Sequence, residues 1–151
     1  MNHYFSFSGI GSLVLVEQGG ILVGLDFLDA PVLTASQETP LKKQCFREIS
    51  EYLEGKRKVF SIPMSARGTP FQEAVWDVVL SIPFGSTLTY SQIAERIGSP
   101  RACRAVGTAV GKNPLPILIP CHRVVSRSGL GGYSGGLPIK IRLLALEDIR
   151  Y

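Results

Sequence analysis

The period of the apolar positions changes along the chain, and the changes divide it into elements. Ser12 to Glu17 and Ile21 to Phe27 are rich in Val, Leu and Ile, with Gly19-Gly20 as a turn between them, which predicts a β-hairpin. Asp29 to Thr39 reads as a polar, proline-containing connection. From Leu41 to Leu53 the residues Leu41, Cys45, Ile49, Tyr52 and Leu53 recur at helical spacing, and Gly55 stops the run. Cys45 lies on that stripe and reads as small core filler. Lys56 to Gly68, with a basic cluster and a proline, is expected to be an edge strand and linker, with a soft boundary near Ser65 to Gly68.

Beyond that boundary the pattern is helical. Thr69, Pro70 and Gln72 form a capping signal ahead of Phe71, Val75, Val78, Val79 and Ile82, and Pro83 closes the helix. Trp76 is expected to be a packing anchor against the N-terminal unit rather than a reader of bases. Thr89 and Gln92 repeat the signal before Ile93, Ala94 and Ile97. Ser99-Pro100 is expected to open a further helix to about Gly111, with Ala102, Val106 and Val110 inward and Arg101, Arg104, Ala105 and Thr108 outward. Two short helices around a Gly-Ser-Pro turn read as helix-turn-helix. Pro114, Pro116 and Pro120 predict a stiff, extended ribbon from Asn113 to Val125. Ser126 to Gly136 holds five glycines and is expected to be a mobile loop, and Pro138 opens a last helix to about Ile149.

The fold class is therefore α/β, of the α+β kind: a small strand-rich N-terminal domain over residues 1–65, then a mainly helical domain over 66–151 with a helix-turn-helix. A hydrophobic fraction of 45% in 151 residues supports a real core and excludes a disordered chain. No stretch has membrane-spanning length, and no secretory pattern opens the chain. Three cysteines at 45, 103 and 121 form no disulfide scaffold, so a reducing, cytoplasmic setting is expected. Charge is unevenly divided. Residues 1–95 carry 7 Lys/Arg against 10 Asp/Glu, a net of −3, whereas residues 96–151 carry 9 against 2, a net of +7. A basic second half suits a polyanion. The small residues around Arg104 fit close approach to a DNA backbone or minor groove better than base reading in the major groove.

The candidate chemistry lies in the same half. Cys121 directly precedes His122, one of only two histidines, and Glu147 on the last helix faces inward, where a carboxylate requires a partner. Three readings stand side by side on these residues. Cys121 is a nucleophile with His122 as base and Glu147 as its orienting group; or Cys121 and His122, with Cys103, are metal ligands, at a spacing that matches no common zinc pattern; or the protein is a non-enzymatic binding module built on its helix pair.

The motif Ile119-Pro120-Cys121-His122-Arg123-Val124 resembles the active-site signature of the O6-alkylguanine-DNA alkyltransferases. The resemblance runs from about Thr69 to Glu147 and takes in Arg104-Ala105-Val106-Gly107, Asn113-Pro114 and Tyr133-Ser134-Gly135-Gly136. It implies direct, irreversible, single-turnover transfer of the alkyl group from O6-alkylguanine in duplex DNA to Cys121, with O4-alkylthymine as a second candidate lesion. A lesion-binding or regulatory module without transfer is the alternative. The implied roles follow residue by residue. His122 takes the thiol proton through a water, supported by Glu147. Tyr90 contacts the guanine and protonates it as it leaves. Asn113 braces the active turn, while Tyr133, Ser134 and Gly135 close over the base. Arg104 fills the space of the extruded base, flanked by Arg101, Ala105 and Thr108 at the DNA. No cofactor, metal, membrane or obligatory protein partner is implied, and a monomer is expected.

Overall fold

The computed structural model of the chain describes residues 1–29 and 37–151; most of the expected polar connection, at 30–36, lies outside the described residues. They divide into two compact units, Met1–Ala66 and Arg67–Tyr151.

In the first unit, β1 (Asn2–Phe7), β2 (Gly11–Gln18) and β3 (Ile21–Leu28) form an antiparallel sheet in that order. The expected hairpin is β2–β3, and Gly19 and Gly20 close it at φ 58° and 77°, the left-handed geometry that a two-residue turn requires. Strand β1 is an addition. His3, Phe5 and Phe7 alternate inward with period two and pair from Asn2↔Val16 to Phe7↔Gly11. His3, the histidine other than His122, is 1% exposed and bonded to Glu17 at 2.7 Å. Helix α1 (Pro40–Leu53) is capped by Thr39, whose hydroxyl accepts from Lys42 N, and it buries Leu41, Cys45, Ile49 and Tyr52. The expected edge strand over 56–68 reduces to one parallel bridge, Leu22↔Met64, framed by bonds of 2.9 Å from Leu22 N to Pro63 O and from Ser65 N to Leu22 O. Pro63 has no N–H with which to extend a ladder.

The second unit packs α2 (Pro70–Leu80), α3 (Tyr90–Arg96), α4 (Cys103–Gly111) and α5 (Leu137–Leu146) around Val75, Val79, Ile93, Val106 and Leu143. Both capping boxes form, Thr69 with Gln72 and Thr89 with Gln92. The Trp76 indole donates to Ala109 O at 2.9 Å, so its hydrogen bond ties α2 to α4 within its own unit. Helix α4 starts later than expected. Ser99 and Pro100 belong to a turn in which Ala102 N donates to Ser99 O at 2.9 Å, and Ala102 is an N-cap without a capping side chain. Helix α5 ends at Leu146 with Glu147 as its C-cap, and Asp148 (φ 62°) allows Ile149 N to return to Leu144 O at 2.9 Å. A two-residue parallel pairing, β4 (Leu88–Thr89) with β5 (Val124–Val125), joins the entry of α3 to the segment that follows Cys121-His122-Arg123. No helix among the described residues is long and apolar enough to cross a membrane.

Candidate active site and nucleic-acid face

The segment that carries Cys121 is a stack of turns, not the extended ribbon expected from its prolines. Ile119 N returns to Leu115 O at 2.8 Å around Ile117, a buried β-branched residue held at φ 75°. Pro120 (φ −78°, ψ 64°) then closes an inverse γ-turn, with Cys121 N donating to Ile119 O at 2.7 Å. Cys121–Arg123 follow as one 3-10 turn, so consecutive side chains leave about a third of a revolution apart. Asn113 clamps this assembly: its Nδ2 donates to Ile119 O at 2.8 Å, and its Oδ1 accepts from Leu115 N at 2.9 Å. Prolines therefore restrict φ here without making the chain straight.

Cys121 is 6% exposed and lies on a small cavity of about 170 Å³. Tyr90 at the start of α3, Gly107, Val110 and Gly111 of α4, and Gly132, Tyr133 and Ser134 of the loop line the rest. One helix thus does two jobs. Its inner face walls the cavity, while Arg104, Ala105 and Thr108, with Arg101 just ahead of it, are exposed. Tyr90 fills the space between α4 and the loop so closely that a Cβ on Gly131, which has φ +74°, would lie 2.7 Å from its hydroxyl. Gly135, Asn113, His122 and Glu147 are not among the lining residues.

Burial pushes the Cys121 thiol up to about 11, against the pull of a hydrogen bond from the Asn113 side chain and the charge of Lys140. The resting sulfur is a protonated thiol. His122 is fully buried, with Nε2 2.8 Å from Glu147 Oε2. Burial holds its basicity below that of an ordinary histidine, although Glu147 pulls the other way. Burial also works to raise the Glu147 carboxyl, but hydrogen bonds from His122 and Arg123 outweigh it and hold the group at about 2.

Two charged residues beside this network carry no expectation from sequence. Arg123 is 6% exposed and grips Glu147 with Nε on Oε1 at 2.9 Å and Nη2 on Oε2 at 3.0 Å. Lys140 is completely buried, and its ammonium donates to the carbonyls of Val124, Leu130 and Gly132. The glycine loop, expected to be mobile, is thus fastened along one side. Burial lowers the Lys140 ammonium to about 8. A signal for Lys140 was present: 140, 143 and 147 share one helical face, so Leu143 and an inward Glu147 imply an inward Lys140. The expected basic surface shrinks accordingly, because two of the nine cations of residues 96–151 are interior.

The chain matches known proteins along its whole length. Residues 70–149 match the DNA binding domain of 6-O-methylguanine DNA methyltransferase, and residues 3–66 match the ribonuclease-like domain of the same family. The constitutive methylated-DNA–protein-cysteine methyltransferase of Bacillus subtilis is 40% identical over 100% of this chain and 98% of its own. Among solved structures, Mycobacterium tuberculosis OGT in complex with DNA superposes with a TM-score of 0.87 at 39% identity, covering 97% of this chain and 92% of that one. The O6-methylguanine DNA methyltransferase of Methanococcus jannaschii superposes at 0.71 with 31% identity, over 98% and 94% of the two chains. A helical unit with a small cysteine-floored cavity, preceded by a strand-rich unit, defines the class of DNA alkyltransferases. The chain belongs to the O6-methylguanine-DNA methyltransferase family. Its activity is the family's: it binds DNA and repairs it directly, moving the alkyl group from guanine O6 to a cysteine of the protein.

Proposed function

We propose that Cys121 is the acceptor and that the lesion reaches it as a base turned out of duplex DNA into the cavity. The observation that carries this reading is the placement of Cys121 on a cavity walled by the same helix whose outer face bears Arg104. A base still stacked in a duplex cannot enter such a chamber, so recognition requires extrusion. Arg104 is the long cationic side chain on that face and takes the vacated place in the stack. Exposed Ser134 and half-buried Tyr133 close over the base, and Tyr90 stands at its edge. Asn113 fixes the turn, and so fixes the direction of the sulfur.

The chemistry is one displacement. With Nε2–H of His122 directed at Glu147, Nδ1 is the basic nitrogen and receives the thiol proton through a water. The sulfur attacks the alkyl carbon, an S–C bond forms and the C–O6 bond breaks. The electron pair stays with guanine, which takes a proton from the Tyr90 phenol, and the phenol recovers one from the imidazolium. The net proton has moved from sulfur to guanine, and the product is a thioether. The thiolate of a thioether is a poor leaving group, so each molecule acts once. We read the protein as an intracellular monomer that needs no cofactor. The free cysteines at 45, 103 and 121 favour a reducing compartment.

The deciding experiment is intact-mass measurement after incubation with duplex DNA carrying one O6-methylguanine, followed by peptide mapping. One added methyl per molecule, on the peptide holding Cys121, is the expected result. A methyl on another cysteine, or more than one per molecule, overturns the assignment.

A further inference from the structure

The reaction above uses Cys121, His122 and Glu147 and leaves Arg123 without a part, although its guanidinium makes three hydrogen bonds inside the protein. Two form the fork on Glu147, and the third, from Nη1 to Ile82 O at 2.7 Å, holds the fork from behind. Glu147 Oε2 accepts from Arg123 Nη2 and faces His122 Nε2, while Oε1 accepts from Arg123 Nε and from Gly85 N at 2.9 Å. One carboxylate is thus shared between a permanent cation and the histidine beside the acceptor cysteine.

We propose that Arg123 is a positioning residue for the transfer that acts through Glu147: by neutralising that carboxylate it keeps the buried His122–Glu147 pair free of an extra proton, so the imidazole stays open to the proton that Cys121 gives up. This rests on the reading of His122 as the base. Charge counting carries it. With His122 neutral, Glu147 and Arg123 sum to zero. Without the guanidinium a buried negative charge remains, and binding a proton is the cheapest way to cancel it. Whether imidazole or carboxylate holds that proton, the pair titrates as a unit and is already filled. The groups acting on His122 are Glu147 at the end of α5, Arg123 on its own turn and Lys140 from α5. Lys140 does not replace Arg123, because its ammonium is directed at the carbonyls of Val124, Leu130 and Gly132. The depressed basicity of His122, set first by burial and aided by these two cations, agrees with the assignment.

The test is the single-turnover rate of methyl transfer from O6-methylguanine duplex against pH, for wild type, Arg123→Met, Arg123→Lys and His122→Ala. In Arg123→Met the midpoint of the acid limb is expected to rise by about one unit or more, a roughly tenfold loss on the limb, with the curves converging above the new midpoint. Arg123→Lys keeps the charge and is expected to return the midpoint to that of wild type. A uniform loss in Arg123→Met, with the midpoint unmoved, makes Arg123 a mere brace and overturns the inference while sparing the base. A His122→Ala protein that keeps the wild-type profile overturns the base assignment itself. Should Arg123→Met fail to fold, nitrogen-15 NMR of wild-type His122 decides: a neutral ring at pH 6.5, the ordinary histidine midpoint, is expected, and an imidazolium there refutes the proposal.

Discussion

Each unit of the protein buries one cysteine and one glutamate, and only one of the two sets is arranged for chemistry. In the first unit, Cys45 and Glu48 lie about one turn apart on α1, at 1% and 0% exposure. Burial pushes the Cys45 thiol up to about 12, and the charges of Glu48 and Glu17 push the same way. Glu48 accepts from Ser61 N at 2.7 Å, Ser61 Oγ at 2.6 Å and Gln44 Nε2 at 2.8 Å, with Arg57 Nη1 at 3.4 Å. These partners are a backbone N–H, a hydroxyl, an amide and a guanidinium, with no histidine among them, so Glu48 is a mechanical tie. In the second unit Cys121 is almost as hidden, but Asn113 and Lys140 oppose the burial and a cavity opens on it. Glu147 shares its carboxylate with a histidine. Burial therefore does not separate an inert thiol from a reactive one. The sign of the nearby charge, room for a substrate, and a titrating partner do.

The sharpest way to break the comparison is to remove each sulfur in turn. Cys121→Ala is expected to abolish methyl uptake completely while lesion binding persists. Cys45→Ala is expected to keep one methyl per molecule at the wild-type rate and to cost about 1 kcal/mol of stability. Intact mass and urea unfolding read both, and any transfer by pure Cys121→Ala protein removes the distinction. The carboxylates come next. Glu147 is held at about 2 against an ordinary 4.5, so its stabilisation is fully present above pH 4.5 and is lost as pH falls through the interval toward 2. Glu147→Gln is expected to cost on the order of 3 kcal/mol at neutral pH, with the gap to wild type closing in acid. Glu48 is also held below its ordinary value, despite burial, by the Ser61 and Gln44 bonds, so Glu48→Gln moves in the same direction. Its cost is smaller, because an amide oxygen still accepts from those neutral donors. Equal costs in the two variants would erase the contrast.

How far the two sets could be read in advance differs, for physical reasons. Helical spacing placed Cys45, Ile49 and Tyr52 on one buried face, and the paired Thr and Gln signals marked where α2 and α3 begin. The Cys-His adjacency pointed to Cys121, and family resemblance to Tyr90, Asn113, Tyr133, Ser134 and Gly135; of these, Cys121, Tyr90, Tyr133 and Ser134 line one cavity. Strand β1 escaped because only three inward residues, His3, Phe5 and Phe7, announce it, and such a short alternation is easily taken for a frayed end. The turns around Ile117 and Pro120 escaped because proline limits φ but leaves ψ to tertiary contacts, here the Asn113 clamp. Arg123 and Lys140 escaped because a cation reads as surface until its acceptors are known. Carbonyls supplied by a distant loop are invisible in sequence.

A buried lysine gives a third, smaller separation. Lys140→Met leaves the carbonyls of Val124, Leu130 and Gly132 without its ammonium, at a cost of about 2 kcal/mol, and should speed amide exchange across residues 126–132. Its ammonium, lowered by burial to about 8, loses its charge as pH rises through that value, and the support it lends the Cys121 thiolate goes with it. The wild-type transfer rate is therefore expected to decline above about pH 8, and Lys140→Met should lack that decline. Lys42 of the first unit lies buried over the Phe5 ring and pairs with Glu38. Lys42→Met should leave the rate unchanged at every pH, and a matching change in both variants would point to general loosening.

The smallest effects belong to the surface, where the units differ in charge. The sequence count of nine cations in residues 96–151 overstates what DNA can meet, since Arg123 and Lys140 face inward. Seven remain exposed: Arg96, Arg101, Arg104, Lys112, Arg127, Arg142 and Arg150. Each that neutralises a phosphate adds about 0.9 to the slope of log affinity against log salt, so these seven bound what residues 96–151 contribute to it. Arg101→Ala is expected to lower it by about 1, whereas Lys43→Ala and Arg47→Ala on α1 should leave it as it was. Arg104→Ala should behave differently from all three. If Arg104 occupies the vacated stack rather than a phosphate, its loss hardly changes the salt slope but lowers the extruded fraction that a fluorescent base analogue reports. A unit drop in slope with unchanged extrusion would make Arg104 another phosphate contact, and the duplex would then need a different wedge to hold itself open.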